Sequence, residues 1–245
     1  MVHAIARSRQ DPERAESILQ ELEQAFQDGA STVQPDVVIY DAVINAFGWA
    51  NNYAGKAEKC VEIFERMVEL YESGRNMDSK PDIITCNSIL NACAFEKATT
   101  TEEHDRIVET VVRILEEFQA RAPEFGTPNH TSYSTAINAV RMHASHDASM
   151  RNELLETLFL QCCESGNVSV LVVNNLHKAL PFDRFSNLLG DALMSDASND
   201  RLRFDPKKFP QEWTINAPSR KKPFLRRPST KARSFQGSRR KESRT

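Results

Sequence analysis

The side chains most able to do chemistry are scattered. The six histidines are His3, His104, His130, His143, His146 and His177, and the five cysteines are Cys60, Cys86, Cys93, Cys162 and Cys163. A zinc site needs such ligands at short, fixed spacings, as in two paired C-x-x-C units. His143 and His146 lie three residues apart, but no cysteine or carboxylate stands at a helical offset to complete a site. Cys162 and Cys163 are adjacent, which is not a redox C-x-x-C pair. Five cysteines without a framework read as free thiols, with Cys60 and Cys93 as small core residues. No Ser/His/Asp arrangement can be argued from spacing. We therefore expect no metal, no cofactor and no enzymatic activity.

Composition narrows the classes further. Only 8 of 245 residues are glycine, which argues against glycine-rich phosphate cradles and hairpin-rich β folds. No run approaches the ~18 apolar residues of a membrane span. The formal net charge of −3 hides a split. Residues 218–245 hold 11 Lys/Arg against one acidic residue, Glu242, a net of +10, while the rest carries −13. The 218–245 tail has three prolines and no apolar periodicity, so we expect it to be disordered. Its charge suits nucleic-acid phosphates; folding back onto the acidic body is the other reading.

Internal repetition is the strongest signal. Three segments align without a gap: PDVVIYDAVINAFGWA from Pro35, PDIITCNSILNACAFE from Pro81 and PNHTSYSTAINAVRMH from Pro128. Each runs from Pro and Asp or Asn, through Tyr or Cys, to a polar residue: Asp41, Asn87 or Ser134. Ile44-Asn45-Ala46, Leu90-Asn91-Ala92 and Ile137-Asn138-Ala139 follow. Asn45, Asn91 and Asn138 read as residues bonding between helices. Asp36, Asp82 and Asn129 are placed to cap the helices.

A second, amphipathic helix completes each unit. Ile18, Leu19, Leu22 and Phe26 mark one; Ile63, Phe64, Met67 and Tyr71 the next. Ile114, Leu115 and Phe118, then Leu154, Leu155, Leu158 and Phe159, mark the last two. Gly29, Gly74, Gly126 and Gly166 punctuate near the ends. One hairpin cannot bury its stripe alone, so the expected fold is all-α: an α-solenoid of stacked helix-turn-helix repeats. The expected boundaries are a partial first repeat over 1–34, repeats over 35–80, 81–127 and 128–166, and capping helices over 167–195. An irregular segment over 196–217 and the tail follow.

These features resemble the pentatricopeptide repeat family over about residues 2–180, and especially its long-unit algal and diatom form. The Pro-Asp restart, the pairs Tyr40-Asp41 and Tyr133-Ser134 (varied as Cys86-Asn87) and the Ile-Phe-Glu-x-Met pattern of the second helix carry the likeness. Units here are longer than usual, with the surplus around Asn51–Gly55 and Gly74–Lys80. The tetratricopeptide signature is absent, since Trp49 lacks its Leu-Gly partners. Val2-His3-Ala4 stands where other units have Ile-Asn-Ala, so Met1 falls inside a first helix and the chain is expected to be N-terminally incomplete.

The resemblance implies single-stranded RNA binding, about one base per unit, in mitochondrial or plastid RNA processing, stability or translation. It implies the reader pairs Asp41 with Asp82 and Asn87 with Asn129; Ser134 lacks a partner because no Pro-Asp follows it. Val38, Ile84 and, less well, Thr131 would flank the bases. Asn/Asn offers donors and acceptors and looks like a pyrimidine reader; Asp/Asp only accepts and repels phosphate. Some relatives carry metallonucleases with clustered aspartates, but Asp191, Asp196, Asp200 and Asp205 sit in a polar, low-complexity stretch. The alternative is a scaffold whose groove holds a protein or peptide, favoured by the acidic body. Beyond the last repeat, Ser169–Leu180 and Phe182–Met194 read as further helices.

Overall fold

The computed structural model describes residues 11–51, 53–144, 146–194 and 203–218. The residues expected to form the first helix around Val2-His3-Ala4, and the tail beyond Pro218, lie outside these. Among the described residues the fold is all-helical, apart from one antiparallel two-residue pair, β1 (Leu193–Met194) with β2 (Arg203–Phe204).

The segments that open at Pro35, Pro81 and Pro128 form α2 (Val37–Gly48), α4 (Ile83–Ala94) and α7 (His130–His143). Each starts on the residue expected to cap it. Asp36 Oδ1 accepts from Ile39 N–H, Asp82 Oδ1 from Ile84 and Thr85, and Asn129 Oδ1 from Thr131 and Ser132. The amphipathic stretches form α1 (Pro12–Gln27), α3 (Lys56–Glu72), α5 (Thr101–Ala120) and α8 (Ala148–Glu164). A short α6 (Ala122–Phe125) and a 3-10 turn over Met77–Ser79 fill the longer connections.

Helices α2, α4, α7 and α9 (Val170–Ala179) pack side by side in chain order. Each second helix lies against the two it connects: α3 against α2 and α4, α5 against α4 and α7, α8 against α7 and α9. Leu19, Phe64, Phe118 and Phe159, one from each second helix, are fully buried, and Phe64 stacks on Phe118 at 5.6 Å. Burying such a side chain stabilises by about 1.5–3 kcal/mol. Tyr40 and Tyr133 insert from the other layer. Tyr40 Oη donates to Glu23 of α1 at 2.7 Å, and Tyr133 Oη accepts from Gln119 of α5 at 3.2 Å.

Helix α9 opens without a proline. Val168 takes that place, Ser169 Oγ caps Val172 N–H, and the helix joins the row of α2, α4 and α7. It thus continues the first-helix layer, where the sequence suggested only a cap. Helix α10 (Phe182–Leu189) follows. The segment after Asp205, with α11 (Gln211–Thr214), returns to α8: Val168 N–H donates to Trp213 O, Asn216 N–H donates to Gly166 O, and Trp213 meets Phe159 edge-on at 5.8 Å. Gly166 needs to be glycine here. Its φ is +69°, and a Cβ would press on Ile215 and on Glu212 O.

Candidate nucleic-acid interface

The implied readers lie where one first helix meets the next. Asp41 is 7% exposed and its Oδ1 accepts from Thr85 Oγ1 at 2.8 Å. Asn87 Oδ1 accepts from Ser132 Oγ at 2.7 Å. Ser134, also buried, accepts from Asn175 Nδ2 through both Oγ and its carbonyl. The first two contacts are one device used twice. The cap's backbone N–H donates to the hydroxyl three residues on (Asp82 to Thr85, Asn129 to Ser132), and that hydroxyl donates back to the previous helix. In α9 the equivalent residue is Val172, which has no hydroxyl, and Asn175 takes over.

This geometry brings the pairs Asp41/Asp82 and Asn87/Asn129 together through a shared hydroxyl residue. It also leaves Asp41 and Ser134 buried, with Asn87 and Asn129 half-buried. Burial pushes the Asp41 carboxyl up to about 7; the Thr85 hydroxyl opposes this and the Asp82 charge adds to it. Near neutrality Asp41 is therefore protonated in a large share of molecules.

What the first helices leave open is a striped face. Val38, Ile84 and Leu171 stand about two residues beyond their caps and are exposed, with half-buried Thr131 at the same place in α7. Eleven residues on, about three helical turns, come Trp49, Phe95 and Met142, each between 48% and 56% exposed. Asn45, Asn91 and Asn138 lie half-buried between the two rows. Asn138 accepts from Arg141 of its own helix rather than bonding between helices. The face is about 16 Å from one apolar row to the other, at 1.5 Å per residue. It carries no Lys or Arg on α2 or α4.

The row of Trp49, Phe95 and Met142 is absent from the implied site, although its signal was present: each stands 13 residues after the capping residue. Aromatic and methionine side chains at a helix end read as core until exposure is known. The hydroxyls of Thr85 and Ser132 were missed because an N3 hydroxyl looks like an ordinary helix-start residue.

Two of the histidines pair across helices, and a third meets a carboxylate. His104 Nδ1 of α5 and His143 Nδ1 of α7 are 2.9 Å apart, and His146 Nε2 meets Asp105 Oδ1 at 2.9 Å. Among the described residues no three His, Cys, Asp or Glu side chains converge as metal ligands. All five cysteines are buried free thiols, and burial drives their pKa values up, to about 12 for Cys86, Cys93 and Cys163. No described helix is long and apolar enough to cross a membrane. No protein-family profile matches the chain, and no curated protein does.

Proposed function

We propose that the chain is a pentatricopeptide-type α-solenoid whose concave face, formed by α2, α4, α7 and α9, binds single-stranded RNA for organellar RNA processing, stability or translation. This reading rests on one observation above all: each of the three full repeats, 35–80, 81–127 and 128–166, exposes an apolar or aromatic side chain at the same register at the end of its first helix. Trp49, Phe95 and Met142 offer flat or pliable surfaces one unit apart, and stacking a base on an aromatic side chain is worth about 1–3 kcal/mol. Val38, Ile84 and Leu171 supply a second apolar row. The amides of Asn45, Asn91 and Asn138 lie between and can donate and accept.

Asn87, with Asn129 beside it, is the best-placed of the implied readers, because its Nδ2 donors are not used by Ser132. Asp41 and Ser134 serve to join helices. The +10 tail supplies the phosphate-neutralising charge that α2 and α4 lack. A scaffold for a protein or peptide is the second reading, favoured by the acidic body and by the lack of Lys and Arg on α2 and α4.

Photo-crosslinking of 4-thiouridine RNA to the full chain, mapped by mass spectrometry, tests the assignment. Adducts on 38–49, 84–95 and 131–142 are expected. Adducts confined to α3, α5 and α8, or to the tail, would overturn it. Failure to crosslink, with capture of extended peptides from a random library, would move the assignment to the scaffold.

A further inference from the structure

The layer of second helices carries a groove of its own. The C-terminal halves of α3 and α5 are joined by the Phe64–Phe118 stack and by Arg121, which reaches Glu72 at 2.8 Å. Their N-terminal halves leave a cavity of about 610 Å³ between them. Val61 and Ile107 lie at its floor, and Glu58, Glu62 and Glu109 stand on its walls.

Six carboxylates of this groove, Glu58, Glu62, Glu65, Glu96, Glu103 and Glu109, outnumber its three cations, Lys97, Arg106 and Arg113. Arg113 is held by Glu65 at 3.0 Å, and Arg106 Nε donates to the carbonyl of Glu102. Glu62 is paired with Lys59 outside the lining. Glu58 and Glu109 have no ion pair among the described residues and both are exposed. The result is an apolar trough with an acidic rim, on the helix layer opposite the proposed RNA face.

A complementary ligand exists in the same chain. Residues 219–245 carry eleven Lys/Arg, interleaved with Phe224, Leu225 and Phe235. The described chain reaches Pro218 beside the end of α8, where Asn216 is bonded to Gly166. Twenty-seven further residues can span up to about 90 Å. That is about three times the ~30 Å length of α5, the longest helix crossed on the way.

We propose that, in the absence of RNA, the basic segment 219–245 docks in the groove between α3 and α5, its cations on the Glu58 and Glu109 rim and an apolar side chain over Val61 and Ile107. RNA and the groove then compete for one set of cations. The docking stands whether or not the opposite face binds RNA; only the competition rests on that reading.

The test uses the full chain with a benzophenone amino acid at Phe224 or Phe235, crosslinked at low and high salt and mapped by mass spectrometry. Intramolecular adducts on 54–65 and 97–113 are expected, lost at high salt as the charges are screened. Glu58→Lys/Glu109→Lys should cut them about tenfold. Glu21→Lys/Glu153→Lys changes net charge equally on other exposed helix surfaces and should leave them nearly unchanged. Adducts spread over α1 and α8, purely intermolecular adducts, no protein adducts at either salt, or equal loss in both double variants would each overturn the proposal.

Discussion

Thr85 Oγ1 donates to Asp41 Oδ1 at 2.8 Å across the junction of α2 and α4, which ties an acidic side chain of one unit to the helix start of the next. The same junction recurs between Ser132 and Asn87 at 2.7 Å. The amide there stays neutral at every pH, whereas the carboxyl of Asp41 titrates.

Asp41 therefore weakens the fold at neutral pH. Its pKa rises from 3.8 to about 7 on folding. Below 3.8 the group is protonated in both states and its stabilising contribution is complete. Between 3.8 and about 7 the folded state holds a proton that the unfolded state has lost, so stability falls as pH rises through this window and then levels. Asp41→Asn keeps the acceptor for Thr85 and removes the titration. It should raise Tm on the order of 5 °C at pH 8 and change it little at pH 4. Thermal unfolding at the two pH values measures this; equal Tm changes at both would contradict it.

His143 acts in the opposite direction. Its Nε2 is buried and makes no hydrogen bond to the described residues. Burial, then the neighbouring His104, holds its pKa below the usual value, with the Cys93 backbone and then Glu96 opposing. His104 faces it from α5, and Asp105 and His146 pair close by. Above pH 6.5 both folded and unfolded states are neutral and stability is complete. As pH falls below 6.5 the unfolded chain takes a proton that the folded chain resists, and stability drops toward the depressed pKa. In an Asp41→Asn background, urea midpoints at pH 7.5, 6.5 and 5.5 should decline, and His143→Leu should flatten the decline whatever its own stability. An unchanged slope in the His143→Leu chain would refute the assignment.

Asn76 fixes the restart of α2. Its Nδ2 donates to Pro35 O at 2.8 Å, and its Oδ1 accepts from Asp78 and Ser79 N–H. Asn167 repeats the contact to Pro128 O at 3.4 Å. Asn76→Ala leaves a buried carbonyl without this donor and should cost about 1–3 kcal/mol, whereas the exposed Asp78→Ala should stay within ~0.5 kcal/mol. Denaturant titration distinguishes the two; equal losses would show that the turn, not the side chain, sets the junction.

Much of this was legible in the sequence, because helix capping and amphipathic spacing are local. Asp36, Asp82 and Asn129 cap as their types dictate, and Leu19, Phe64, Phe118 and Phe159 point inward as their spacing requires. What was not legible depends on packing between units. Position 41 looks like a solvent-facing acid until α4 lies against it. Trp49 and Phe95 look like core until their helix ends emerge from the stack. Ser169 lacked the proline that marked the other restarts, yet its hydroxyl caps α9 as well as the others. The His104–His143 pair joins residues 39 apart in sequence, beyond any spacing rule.

Fluorescence anisotropy of short single-stranded RNA pools, at low and physiological salt, tests the central claim most directly when the full chain is compared with Trp49→Ala/Phe95→Ala. Both residues are exposed, so the double variant should keep its Tm within about 2 °C. The account predicts at least tenfold weaker binding by the variant at both salts, since two stacking surfaces are gone. Equal affinity of the two chains, with binding abolished alike by salt, would contradict it and leave the tail as a nonspecific polyanion contact.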